Sequence, residues 1–307
     1  MNEVEITSAL SAVVGLRSHI PDDALTANVL GTERAGHGVQ IREDGLVLTI
    51  GYLITEAESI FLMTASGQTL QAHLVAYDQE TGFGLVQALG HLDAATVPLG
   101  RSADVQVGDA IVLAGHGGKS DTVNAEVIEK REFAGYWEYV LDEALFTSPP
   151  HTNWGGTAAL DSEGRLVGIG SLFIQQGEGE SRPRDANMVV PIDLLPPILD
   201  DLLMYGRTQK PPRPWLGLLA VEHKAGLVVA STVDGGPAAA SDIEVGDIIA
   251  EVDNVPVDEL ADFFRHVWSL GRAGVEVPLT VIRNGDPMLV MINSMDRHAS
   301  LKAPRIH

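Results

Sequence analysis

Past residue 36 the apolar positions fall into short runs separated by turn pairs. "GVQIREDGLVLTI" holds two apolar runs around Asp44-Gly45, the pairing that marks a two-residue hairpin. "SIFLMTASGQTLQAHLVAYD" repeats the pattern around Ser66-Gly67, and "FGLVQA" and "DAIVLAGHG" follow at similar spacing. Then come "TVNAEVIEKREFAGYWEYVL", "GRLVGIGSLFI" and "NMVVPI", and this strand-rich block ends near Ile192. Short strands with a turn roughly every 8–12 residues argue for barrels or sandwiches. The stretch before the block, residues 1 to about 28, reads as one amphipathic helix followed by a Pro-broken arm.

The period changes after the block. "DLLPPILDDLLMYG" spaces Leu and Ile as a helix does. "RTQKPPRP" is a basic, Pro-rich linker and marks a domain boundary. "WLGLLAV", "GLVVAST", "GDIIAEVD", a helix "VDELADFFRHVWSL", and two strands joined at Asn284-Gly285 then make a compact α+β unit.

Composition narrows what the chain can do. Of 307 residues, 45% are apolar and 20% charged, enough for folded domains with full cores. The formal net charge of −22 repels nucleic-acid phosphate and anionic membrane surfaces, so neither is an expected partner. With no cysteine, disulfides, Cys-based zinc sites and Cys nucleophiles are excluded. No run approaches the ~20 apolar residues of a membrane helix. The N-terminus lacks a basic n-region and a long apolar stretch. The expected location is therefore the cytoplasm, or the periplasm if an export signal precedes this sequence.

Residues 151 to 170, "HTNWGGTAALDSEGRLVGIG", put a Gly-Gly pair before a hairpin, in a loop with a Trp, an Asn and a His. Enzymes often carry a nucleophilic Ser or Cys in such a loop, and this one has neither. With "GHGVQIREDGLVLTIGYLIT", "DQETGFGLV" and the later "GGPAAASDIEVGDIIAEVDNVPV", the chain resembles the HtrA/DegP-like family over residues about 30 to 295. The resemblance implies a mainly β fold: a chymotrypsin/trypsin-like double β-barrel followed by an α+β PDZ domain. The implied organisation is a helix and arm over 1–28 and the double barrel over 29–195, with barrels about 29–110 and 111–195. A helix and Pro-rich linker over 196–212, a PDZ domain over 213–295 and a tail over 296–307 complete it.

The family's three catalytic signatures have counterparts here, each without its catalytic residue. Tyr52 stands at the His position, Gly82 at the Asp position and Gly155 at the Ser position. Gly has no side chain to attack a carbonyl or move a proton, and a phenol of ordinary pKa near 10 is a poor base at neutral pH. Without nucleophile and base the acyl-enzyme route is closed. A backbone N–H pair around Asn153 and Gly155 is expected to survive as an anion-binding nest. His37, His116 and His151, with Tyr52 and Trp154, are candidates for a rebuilt cleft. The three imidazoles read either as metal ligands or as isolated loop residues; they lack strong ligand spacing, and no metal or cofactor is assigned. Phe133, Tyr136, Trp137, Tyr139 and Phe146 read either as barrel packing or as an aromatic cleft closed by Trp154. In the first case the indole plugs the vacated site.

In the PDZ-like unit the resemblance assigns Trp215, Leu216, Gly217 and Leu218 to the loop that captures a terminal carboxylate. Phe264 and Trp268, on one stripe of the helix, read either as groove lining or as core. The leading expectation is a catalytically inactive homologue that binds peptide or protein C-termini, and unfolded proteins, through its PDZ domain. The alternative is a serine-peptidase-family enzyme, or another hydrolase using a rebuilt His/Tyr site. The resemblance also implies a homo-oligomer, a trimer.

Overall fold

A computed structural model describes residues 3–176 and 184–302. The chain divides into two compact units. The first holds residues up to Arg131 and Glu143–Gln209; the second holds Glu132–Asp142 and Lys210–Lys302.

The first unit contains two closed six-stranded barrels. The N-terminal barrel is built from β1 (Val13–His19), β2 (Glu33–Gln40), β3 (Leu46–Ile50), β4 (Ser59–Met63), β5 (Thr69–Tyr77) and β6 (Phe83–Ala88), in the order β1-β2-β3-β6-β5-β4. The second is built from β7 (Ala110–Ala114), β8 (Thr122–Gly135), β9 (Tyr139–Ser148), β10 (Ala158–Leu160), β11 (Leu166–Gln176) and β12 (Arg184–Pro191), in the order β10-β11-β12-β9-β8-β7. Closure gives each strand a hydrogen-bonded neighbour on both sides. Alternation builds the interior: β4 buries Ile60 and Leu62 and turns Phe61 outward. Each fully buried Leu or Phe, such as Leu48 or Phe83, contributes about 1.5–3 kcal/mol.

The N-terminal expectation is corrected here. Helix α1 (Glu3–Ser11) ends early, and Val13–His19 is the first barrel strand, paired with both β2 and β4. "VVGLRSH" buries Val13, Val14 and Leu16, a pattern that overrides the helical reading. A short helix, α2 (Ala27–Leu30), follows, and α3 (Pro196–Tyr205) ends this unit at the left-handed cap Gly206.

The second unit is an antiparallel sheet of β13 (Leu218–His223), β14 (Gly226–Thr232), β15 (Ile248–Val252), β17 (Glu276–Arg283) and β18 (Asp286–Asn293), with β16 (Val255–Pro256) paired to β15. Asn284-Gly285 is the β17–β18 turn, as its sequence suggests. Helix α4 (Leu260–Ser269) lays Phe263, Phe264 and Val267 on the sheet core. A short α5 (Arg297–Ser300) is capped by the Asp296 side chain and lies where a plain tail was expected. Among the described residues no helix is long and apolar enough to cross a membrane.

Candidate functional site

The Gly-Gly loop is held by backbone approach. The His37 N–H of β2 donates to the Gly155 carbonyl at 2.8 Å. The His37 carbonyl accepts the Thr49 hydroxyl at 2.6 Å. Gly156 sits at φ 80, and a Cβ built on it would lie 1.9 Å from that same carbonyl oxygen. The glycines therefore serve where β2 and the loop meet, and only an absent side chain permits it.

Tyr52 follows β3 on a single 3-10 turn, Gly51–Leu53. Its hydroxyl donates to the Ser171 carbonyl at 2.8 Å. A Cβ on Gly155 would lie 2.7 Å from Tyr52 Oη, so the phenol occupies the space beside the loop that a side chain at 155 would enter. Burial pushes the phenol above its ordinary pKa, with a hydrogen bond to the Trp154 side chain pulling back. A buried phenol that stays protonated and spends its proton on a carbonyl is a donor and not a base. Gly82 adopts φ 80 in a turn where Asp78 Oδ2 accepts from Thr81 N and Oγ1, both at 2.8 Å. An aspartate at 82 would enter a left-handed conformation that L side chains rarely adopt.

The structure brings the three histidines together. His37 and His116 have ring centroids 6.3 Å apart, and His37 and His151 5.9 Å apart. His37 is only 5% exposed. Burial pushes its imidazole down to about 4, against the pull of Asp121; His151 and His116 push the same way as burial. Its Nδ1 accepts the His116 backbone N–H at 3.1 Å, and its buried Nε2 has no hydrogen-bond partner among the described residues. His151 is buried too: Nδ1 accepts the Asn153 N–H at 3.1 Å, and Nε2 faces the Asp121 carboxylate at 3.3 Å. The expected nest is corrected by this bond, because the Asn153 N–H turns inward to an imidazole.

Asp121 is the residue that sequence reasoning missed. It ends a 3-10 turn, Gly118–Asp121, in the same loop as His116. His37, His116 and Asp121 each place a ligand atom within 4.8 Å of the others. These are the residues that could hold a metal, but the donor chemistry of His37 does not fit one. With Nδ1 accepting a backbone N–H, the neutral ring carries its proton on Nε2 and has no lone pair left to give.

The depressed His37 pKa has a consequence for stability. Unfolded, the ring takes up a proton near pH 6.5, and folded only near 4. The stability it contributes is present above 6.5 and lost as pH falls through 4. Between pH 7 and pH 4 the wild type should lose on the order of 3 kcal/mol more stability than His37→Gln. Urea midpoints at the two pH values check this; equal pH dependence would remove His37 from the account.

Beside these residues lies a cleft of about 810 Å³, lined among others by Gly15, Arg17, Phe61, Met63, His116 and Trp154. Trp154 leans on Phe173, with centroids 5.6 Å apart, and leaves the cleft open; the plugged-site expectation is corrected. The aromatic stretch does not line this cleft. Phe146 is buried under the Arg131 guanidinium, and Phe133, Tyr136, Trp137 and Tyr139 cluster within the segment that belongs to the second unit.

In that unit the backbone N–H groups of Leu216, Gly217 and Leu218 converge on one acceptor. The acceptor is the Glu138 carboxylate, at 3.1, 2.8 and 3.2 Å from the three nitrogens. Trp215 is buried and pairs its backbone with Met295. Phe264 is 1% exposed and packs in the cluster that also holds Val140 of the Glu132–Asp142 segment. Trp268 packs partly against the same cluster and carries Arg213 over its ring at 4.2 Å.

Residues 36–169 match the family described as trypsin-like peptidase domain, and residues 214–293 match the PDZ domain family. A probable periplasmic serine endoprotease DegP-like of Pseudomonas putida (strain W619) is 28% identical over 266 residues, 81% of this chain and 53% of that protein. Serine endoprotease DegS of Escherichia coli (strain K12) is 24% identical over 288 residues, 89% of this chain and 80% of that protein. The chain thus spans about half the length of its DegP-like relatives. In fold it is similar to the HtrA-type protease AlgW with tripeptide (TM-score 0.55, 20% identity, 98% and 97% of the two chains). It is similar also to a serine endoprotease from Yersinia pestis (TM-score 0.54, 22% identity, 95% and 96%). The relatives named periplasmic overturn the cytoplasmic location expected from the N-terminus.

Proposed function

We propose that this chain, a homologue of the HtrA-type serine endoproteases with a trypsin-like peptidase domain followed by a PDZ domain, binds peptides without cutting them. The observation that carries the reading is the Gly155–Tyr52 pair. Where a nucleophile would project there is a glycine, and the space beside it holds a neutral phenol tied to the Ser171 carbonyl. The neighbouring imidazoles supply no substitute. The His37 Nδ1 lone pair is taken by the His116 backbone N–H and burial makes the ring a weak base, and His151 is engaged at both ring nitrogens. What remains is recognition: a backbone loop at Leu216–Leu218 whose three N–H groups donate to a carboxylate, the feature by which PDZ domains take C-terminal segments.

Fluorescent unfolded casein tests the first half. Wild-type protein should release label no faster than buffer, with or without a peptide that ends in apolar residues. Gly155→Ser should stay equally inactive, because its Cβ meets Tyr52 Oη before any base is in place. Turnover that survives repurification and disappears in Tyr52→Phe or His37→Gln would instead establish a hydrolase with a rebuilt His/Tyr site.

A further inference from the structure

We propose that Glu138 is a tethered competitor: its side chain occupies the carboxylate loop of the PDZ unit, and a ligand with a free C-terminus must displace it. The inference rests on reading Leu216–Leu218 as the peptide-capturing loop. Oε1 takes the Leu216, Gly217 and Leu218 N–H groups, and Oε2 lies 3.1 Å from Leu216 N. A terminal carboxylate offers the same two oxygens on the same planar group, so the two acceptors are mutually exclusive. Arg297 of α5 adds an attractive charge, and its Nε and Nη1 are buried with no hydrogen-bond partner among the described residues.

Glu138 sits in the tip joining β8 to β9, Glu132–Asp142, and the tip as a whole is dressed as a ligand. Val140 is 8% exposed and belongs to the apolar cluster of the sheet and α4, and Ala134 packs on the same cluster. Arg265 of α4 holds the tip at both ends, with Glu132 at 2.5 Å and Asp142 at 2.6 Å. An acidic group beside an apolar side chain, docked between loop and helix, reproduces the end of a bound chain.

Two features keep this occupancy reversible. Burial pushes the Glu138 carboxyl up to about 7, against the pull of the three N–H groups and of Arg297. Its backbone is left-handed, at φ 62, where a residue with a Cβ is disfavoured. The tip is therefore a ligand of high local concentration and imperfect fit. The apparent affinity for a free peptide falls by the fraction of time the loop is vacant.

The test is fluorescence anisotropy of a labelled short peptide ending in Leu-Val with a free carboxylate, chosen because Val140 fills the apolar cluster. Glu138→Gly, which removes the acceptor and suits the left-handed backbone there, should bind it about tenfold or more tighter than wild type. Arg265→Ala, which loosens the tip without touching the loop, should tighten binding severalfold and guards against misfolding of the first variant. The same peptide with an amidated end should bind none of them. Equal affinity of wild type and both variants overturns the competitor and leaves peptide binding intact. No binding by any of the three overturns both readings.

Discussion

Gly156→Ala is expected to cost the barrel unit more than about 4 kcal/mol and to abolish its folded population near 37 °C. The new Cβ would lie 1.9 Å from the His37 carbonyl oxygen, 2.7 Å from its carbon and 2.9 Å from Thr49 Oγ1. Backbone atoms cannot rotate away as a side chain tip can. The residue also holds φ 80, so a second penalty of strain is added. The loop has little room to retreat, since Gly156 N donates to Gly170 O and Gly155 O accepts from His37 N, both at 2.8 Å. Urea denaturation followed by tryptophan fluorescence measures the loss; a variant that keeps more than half of the wild-type stability contradicts the close approach.

The second large effect is expected at Arg34. Arg34→Met should cost about 3–5 kcal/mol. The guanidinium is buried and donates to the carbonyls of Gly31, Tyr52 and Thr55 and to Thr26 Oγ1. That hydroxyl in turn donates to Glu56 Oε2 at 2.7 Å, and the backbone N–H groups of Leu25 and Thr26 donate to the same carboxylate. Burial lowers the Arg34 pKa to about 10 while Glu56 pulls it up, which leaves the group charged at neutral pH. Removing it strands the Glu56 charge in the interior. Adding Glu56→Gln to Arg34→Met should therefore recover part of the loss. A double variant no more stable than the single one would show that the charge pair is not the cause. The same arginine fixes the Tyr52 carbonyl, so it sets the turn that keeps the phenol beside Gly155.

Neither of these effects was equally visible in the amino-acid string. The Gly-Gly pair stands out because it interrupts a hairpin context, but the sequence does not say what approaches it. Arg34 and Glu56 look like ordinary surface charges; their burial follows from long-range closure of the first barrel, which no local pattern encodes. The hairpins at Asp44-Gly45, Ser66-Gly67 and Asn284-Gly285 were legible because turn chemistry is local. Val13–His19 was not, since a short apolar strand beside a helix offers too few residues to separate the two periods. Within the site, the meeting of His37, His116 and His151 followed from the fold resemblance. Asp121 and Glu138 did not follow from it. Each lies in a polar or aromatic loop with no spacing signal, and each acquires its role from a distant segment brought alongside.

The position of Glu138 also governs how fast the protein can respond. An empty groove fills at a rate proportional to the peptide supplied. A groove already filled by its own chain fills only after the tip has left, and leaving is a first-order event that no amount of peptide accelerates. Association should therefore level off at high peptide concentration, at the opening rate of the tip. Timing is then written into Glu132–Asp142 itself, and a substitution there resets the protein's clock without altering what it recognises.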